Sequence, residues 1–325
     1  MPLGSKSEEE RLVAVGRALG KLTPFTKYLD QFLDEYGYSP SVGYEAKRFI
    51  EIRFAKRFKY FETLSSDDLK GYIKERMSGS DGDQAWSVRS VEKNLGFVKV
   101  YWNWCLDNDL ITTSNVIDLP RQMQRKNNTK SQRKKTEKSA NLAYSVEQAW
   151  LLHSSAKEEN EKLADLILLG MYTGCRIGEV AGMRLEDVHL DRFNVVDSKT
   201  ESGIRSIPIH TDIMQDVERM EQTSTDGYLI SELSAKNVTN DRSKGIGKRF
   251  GRLKNSLGFQ DNVHTYHSFR STLASRFQSA GVEKLFAALI IGHKAGGMTY
   301  GLYAGDLDRD KAVKAMAKVD YKRTA

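Results

Sequence analysis

The sequence predicts a mainly α-helical protein with a small β-sheet, arranged as a helical domain followed by an α+β domain. Three features carry that expectation. Apolar residues recur at helical spacing through residues 22–122, the stretch that follows is nearly free of them, and beyond residue 145 helical patterns surround one alternating segment. The 325 residues allow about two domains, each able to bury its own core.

Taken in order, residues 1–20 form a polar tail, its first five resembling a cloning remnant. "MPLGSKSEEE" has no apolar stretch of the kind a signal peptide needs. "FTKYLDQFLDEYG" and "SSDDLKGYIKERM" read as helices, the second opened by a Ser/Asp cap. The clearest helix is "SVRSVEKNLGFVKVYWNWCLDN", where Val91, Leu95, Val98, Trp102 and Cys105 form one apolar face while Arg89, Lys93 and Lys99 lie on the other. Then comes "RQMQRKNNTKSQRKKTEKSAN", which contains Lys126, Lys130, Arg133, Lys134 and Lys135 and too few apolar residues to fold alone. It is a linker, either a solvated tether or a basic strap along nucleic-acid phosphates.

In the second domain "SVEQAWLLHSSA" and "EKLADLILLGMYTG" read as helices, the latter stopped by Gly174, with Leu163, Leu166, Ile167, Gly170 and Met171 on its buried side. "RFNVVDSKTESGIRSIPIH" reads as a β-hairpin turning near Glu201 to Gly203. Helices return in "IGKRFGRLKNSLGF", "YHSFRSTLASRFQSAG", "VEKLFAALIIGH" and "RDKAVKAMAKV".

The balance of 50 Lys+Arg against 43 Asp+Glu, net +7, favours a polyanionic partner without requiring one. Two distant cysteines, Cys105 and Cys175, exclude a disulfide framework and a CxxC zinc site, and suit a reducing cytosol. No apolar run approaches the ~18 residues of a membrane span. The phosphate loop of NTPases, a dinucleotide fingerprint, HExxH and GxSxG are all missing, which removes support for ATP hydrolysis, hydride transfer and zinc proteolysis.

What remains is a set of cations at element ends. Arg176 follows "YTGC", with Glu179 three residues on to hold it; taken alone, the pair equally describes an exposed surface ion pair. His267 and Arg270 are also three apart and would share a helix face, as an anion clamp or as a solvated polar face. Lys199 lies beside the hairpin turn. His293 ends an apolar helix, as a ligand or a helix-dipole partner, and Tyr300 and Tyr303 follow among glycines. Two arginines, a lysine, two histidines and a tyrosine, without a carboxylate cluster, suit attack on a phosphodiester. Arginine forks bind two phosphate oxygens, and a tyrosine can hold the phosphoryl group covalently.

The ordered series "TGCRIGEVAGMRLEDV", "DSKTESGIRSIPI", "HSFR", "IGH" and "GLY" resembles the tyrosine recombinase (phage integrase) family, whose signature is Arg, Lys, His-x-x-Arg, His or Trp, then Tyr. The resemblance covers residues 145 to 320. It implies a helical core-binding (SAM-like) DNA-binding domain at 21–123, a basic linker at 124–142 and an α+β catalytic domain at 143–325. It further implies that Arg176 and Arg270 grip a scissile phosphate with His293, that Lys199 is the general acid, and that His267 is the base or proton shuttle. Glu179 would support Arg176, and Tyr303 would be the nucleophile. The His-to-Tyr interval is ten residues here where nine is common, which leaves Tyr300 as the other choice; the "GLY" context favours Tyr303.

The activity so implied is site-specific DNA recombination through a 3′-phosphotyrosine, with no cofactor, ATP or metal. Its partners would be double-stranded DNA at a specific site, three further copies of the chain and accessory DNA-bending proteins, in the cytoplasm and not at a membrane. Arg89, Lys93 and the linker cations would contact DNA. Type IB topoisomerase-like relaxation and a non-cleaving DNA-binding protein are the alternatives; a nuclease would more naturally show acidic metal ligands.

Overall fold

The computed structural model describes residues 15–16, 20, 22–79, 84–117, 142–196, 203–260, 263–292 and 309–322. Lys126, Lys130, Arg133, Lys134, Lys135, Lys199, His293, Tyr300 and Tyr303 lie outside the described residues. The chain divides into two compact units, Met1–Arg133 and Lys134–Ala325.

The first unit is built from α1 (Leu29–Glu35), α2 (Pro40–Arg48), α3 (Ser66–Ser78) and α4 (Val88–Asp107). At the head of α3 the Ser65 hydroxyl accepts from the Asp68 N–H at 3.2 Å and the Asp68 carboxylate accepts from the Ser65 N–H at 3.1 Å, a reciprocal cap. At the head of α4 the cap is one-sided, the Ser87 hydroxyl accepting from the Ser90 N–H at 3.1 Å. All five apolar residues expected on the inner face of α4 are buried, and the Trp102 indole N–H donates to the Thr113 carbonyl at 2.9 Å. After α2 the chain takes a π-helical turn, Phe49–Phe54, before one more α-turn at Ala55–Arg57. The wider turn brings positions five apart onto one face. Phe49 and Phe54 thereby both reach the core, with ring centroids 6.1 Å apart.

The second unit comprises α5 (Val146–Glu159), α6 (Glu161–Thr173), α7 (Ile177–Ala181), α8 (Met214–Thr223), α9 (Ser243–Ser256), α10 (Ser268–Ser279), α11 (Lys284–Ile291) and α12 (Arg309–Met316). Its sheet holds β1 (Val188–His189), β2 (Arg192–Val195) and β3 (Arg205–Pro208) in the order β1-β2-β3, antiparallel throughout. Phe193 pairs with Ile207, both fully buried, and Val195 pairs with Arg205; of the turn expected near Glu201 to Gly203, Glu201 and Ser202 lie outside the described residues. β2 and β3 are the strands predicted from alternation. β1 is additional, and two residues are too few for alternation to signal.

Helix α6 departs from the amphipathic expectation. Every residue from Leu163 to Thr173 is buried, because α6 is the central helix, packed against α5, α7, α9 and α10. It ends at Gly174, whose φ of +59° is the left-handed conformation that glycine adopts without a Cβ penalty. The reversal delivers Arg176 as the residue that opens α7.

The C-terminal helix α12 packs on its own unit, against α11 and β3. Ala312, Ala315 and Met316 are buried there. The Trp150 indole N–H donates to the Tyr321 carbonyl at 2.6 Å and the Tyr321 hydroxyl donates to the Met171 carbonyl at 2.7 Å. No helix among the described residues is long and apolar enough to cross a membrane.

Candidate functional site

Arg176 has an extended backbone, φ −67° and ψ 151°, and stands at the first turn of α7. Its N–H donates to Glu179 Oε2 at 2.9 Å while its Nη1 donates to Oε1 at 2.5 Å, so one carboxylate holds both the backbone and the side chain of Arg176. Glu179 is buried. The pair is therefore not the exposed ion pair that spacing alone equally described; its carboxylate has left water and its arginine remains 30% exposed.

Arg270 lies within α10 between Phe269 and Leu273 and is itself only 1% exposed. Its Nη1 donates to the Gly174 carbonyl at 3.0 Å and its Nη2 to the Gly292 carbonyl at 2.8 Å. The guanidinium thus ties the end of α6 to the end of α11. His267 precedes α10 rather than sitting within it, and it is exposed. The two residues stand one turn apart at the start of α10, the Arg270 N–H donating to the His267 carbonyl at 3.1 Å, with His267 exposed and Arg270 buried. The two groups still feel each other's charge.

A third arginine enters from β3. Arg205 donates through Nη2 to Glu179 Oε2 and to Cys175 Sγ, both at 3.2 Å, through Nε to the Ile290 carbonyl at 2.8 Å and through Nη1 to the Gly203 carbonyl at 2.6 Å. It was missed from the sequence although a signal existed. Arg205 and Ile207 are two apart on a strand and so share a face, and Ile207 is fully buried. A cation on a buried strand face needs partners.

Two of the three guanidiniums, Arg176 and Arg205, share the Glu179 carboxylate, and the titration shifts reflect the excess of positive charge. Burial, then Arg205 and Arg176, lower the Arg270 pKa to about 10, which leaves it protonated at neutral pH. Burial pushes the Glu179 carboxyl up, but the charge of Arg205 and the hydrogen bonds from Arg176 outweigh it and hold the group below its ordinary value. Partial desolvation, then Arg270 and Arg176, hold His267 below the usual imidazole value against the opposing pull of Glu179. Burial raises the Cys175 thiol, so it stays protonated. Arginine forks suit the oxygens of a tetrahedral oxyanion, and here the carbonyls of Gly174 and Gly292 fix Arg270 while those of Gly203 and Ile290 fix Arg205.

A second feature, also missed, is α9. Ile246, Phe250 and Leu253 face the core, whereas Lys244, Lys248, Arg249 and Arg252 are exposed, and the helix contains no acidic residue. No carboxylate among the described residues forms an ion pair with any of these four. α9 packs directly on α7, the helix that Arg176 opens. In the first unit Arg89 is exposed on α4, but Lys93 is engaged with Glu45 at 2.6 Å.

Solved structures with the same fold include a lambda integrase dimer bound to a COC′ core site (TM-score 0.63, 16% identity, 94% of this chain and 84% of that one). The Tn1549 transposon integrase in complex with transposon right end DNA gives a TM-score of 0.58 at 18% identity, over 90% of this chain and 98% of that one. Among sequence relatives, tyrosine recombinase XerA of Pyrococcus horikoshii is 24% identical over 283 residues, covering 86% of this chain and 80% of XerA. The transposase from transposon Tn916 of Enterococcus faecalis is 25% identical over 195 residues, covering 50% of this chain and 47% of the transposase. The chain thus spans about half the length of the transposases it matches. Residues 142–309, which hold the arginine cluster, the sheet and α9, match the phage integrase family, and the chain belongs to that family.

Proposed function

We propose that this chain is a site-specific DNA recombinase, a strand transferase that cleaves and rejoins DNA through a 3′-phosphotyrosine link without ATP or metal. The observation that carries the reading is the cluster of Arg176 and Arg205 on the Glu179 carboxylate with Arg270 beside them on the Gly174 and Gly292 carbonyls, in a phage integrase fold. In this reading Arg176 and Arg270, with His293, hold the scissile phosphate and stabilise its pentacoordinate charge. The Tyr303 oxygen bonds to phosphorus as the bond to the 5′ oxygen breaks. The phenolic proton passes to His267, and Lys199 protonates the departing oxygen. The link keeps the phosphoryl group activated, so a 5′ hydroxyl from another strand can reverse the step. The partner is double-stranded DNA at a specific site in the cytoplasm. Lambda integrase has been solved as a tetramer bound to a Holliday junction, and we carry that assembly to this chain. The helical unit and the linker at 124–142 would serve as core-binding domain and strap.

The test is a nicked duplex carrying the cognate site, incubated with the protein in excess chelator and run on a denaturing gel. A protein–DNA band that survives denaturation is the expected result. Tight binding to cognate DNA with no such band would leave a DNA-binding protein on a recombinase fold.

Two further outcomes follow from the site. The exposed cations of α9 lie on the helix packed against α7, so replacing Lys248, Arg249 and Arg252 together with alanine should lower the log–log salt slope of DNA binding by roughly two to three, about 0.9 for each phosphate no longer neutralised. An unchanged slope would remove α9 from the DNA interface. Because His267 titrates below its ordinary value of 6.5, protonation of the proposed proton acceptor sets in only as pH falls below that point. The acid limb of the single-turnover cleavage rate is therefore expected below pH 6.5 and absent in His267→Gln. A limb centred above that value would take the role away from His267.

A further inference from the structure

Arg205 belongs to neither of the two arginine positions that the resemblance assigned, yet it joins more of the site than any other cation described. Its strand is partly open, but its side chain is only 5% exposed, against 30% for Arg176. Its guanidinium nitrogens are committed to Ile290, Gly203, Cys175 and Glu179. Arg205 differs from the likewise buried Arg270 in that Nε, Nη1 and Nη2 are all engaged and one of them already holds a carboxylate, so Glu179 fills the anion place on its fork. The Gly292 backbone closes it in further, since a Cβ there would lie 3.0 Å from Cδ, Nε and Cζ of Arg205.

Glu179 divides its two oxygens. Oε1 takes the Arg176 side chain, while Oε2 takes both the Arg176 N–H and Arg205. The oxygen that fixes the backbone of Arg176 is therefore itself fixed by Arg205. Removing Arg205 leaves the Arg176 N–H on Oε2, and leaves a buried carboxylate with one cation in place of two. Burial then gains on charge pairing, and the grip on Arg176 loosens.

We propose that Arg205 is a positioning residue for phosphoryl transfer: through Glu179 it sets the orientation of Arg176, and it does not contact the phosphate. The proposal rests on the strand-transfer reading above. A purely structural brace between β3, α7 and α11 would share the same contacts, so the test has to ask whether the defect passes through Arg176. A methylphosphonate at the scissile position replaces a charged oxygen with methyl and removes the negative charge that Arg176 neutralises. A defect transmitted through Arg176 should therefore shrink on that substrate, whereas a disturbed fold should impair both substrates alike.

The experiment compares wild type, Arg205→Ala and Arg205→Lys in single-turnover adduct formation on phosphate and on methylphosphonate, with DNA affinity measured alongside. On phosphate, Arg205→Ala should be roughly 10- to 100-fold slower with affinity within about twofold of wild type. Arg205→Lys, which keeps the charge but not the fork, should fall between them. On methylphosphonate the gap should close to within about threefold. If Arg205→Ala fails to fold, the same comparison is made with Arg205→Lys. Wild-type rates in both variants, an equal deficit on both substrates, or a loss of affinity matching the loss of rate would each overturn the proposal. Absence of the adduct in the wild-type lane would instead overturn the strand-transfer reading itself.

Discussion

Tyr303→Phe is expected to abolish the covalent protein–DNA band completely and to leave DNA binding intact, while Tyr300→Phe retains the band. The substitution removes one oxygen and keeps the ring, so any packing the side chain provides survives. Chemistry that depends on the phenol does not. A free phenol with a pKa of about 10 is a poor nucleophile at neutral pH and needs a proton acceptor and a phosphate whose charge is already neutralised. The second condition is visible in the arginine cluster, where Arg270 keeps its charge despite burial. The choice between the two tyrosines comes from the sequence alone, where the "GLY" context favours Tyr303, as both lie outside the described residues. His293 precedes Tyr303 by ten residues and Tyr300 by seven. The measurement is the denaturing-gel assay in chelator with both variants side by side. A band lost only in Tyr300→Phe would transfer the nucleophile to that position.

What could be read from the sequence, and what could not, divides along physical lines. Features encoded within a few residues were legible. The Ser/Asp cap at Ser65, the stop at Gly174 and the inner face of α4 all follow from local spacing, and each appears where the sequence places it. Arg176 and Glu179 were legible as a pair for the same reason. Features set by neighbours distant in sequence were not. The near-continuous apolar run of α6, Leu163 to Tyr172, already signals burial on all sides, but which helices cover it, α5, α9 and α10 among them, is set by residues distant in sequence. The π-turn at Phe49–Phe54 has a five-residue repeat that neither the helical nor the strand template tests. Arg270 looked like half of a solvated pair because its acceptors are two carbonyls at the ends of other helices, 96 and 22 residues away. Arg205 was passed over because the hairpin was read for its turn lysine, whereas strand alternation already placed Arg205 on the same face as Ile207.

Arg176→Ala should reduce the rate of strand cleavage by roughly 100-fold or more, the scale seen when one donor to a developing oxyanion is removed. DNA affinity and folding should be nearly unaffected. The structure gives a reason to expect that separation. Loss of the Arg176 guanidinium does not orphan the buried Glu179 carboxylate, which keeps Arg205 on Oε2 and the residue-176 N–H as well. Arg270→Ala should lose cleavage on a similar scale but should also destabilise the fold, because the Gly174 and Gly292 carbonyls would lose their donor in a buried setting. Each unsatisfied buried acceptor costs about 1–3 kcal/mol, offset in part by no longer burying a cation. The two arginines are thus distinguished by a thermal melt rather than by the reaction. Arg176→Ala melts near wild type and Arg270→Ala melts below it, while both bind DNA and neither cleaves at an appreciable rate. Normal cleavage by Arg176→Ala would place the phosphate clamp elsewhere, and an Arg270→Ala protein as stable as wild type would mean that its two carbonyl contacts contribute nothing to holding α6 and α11 together.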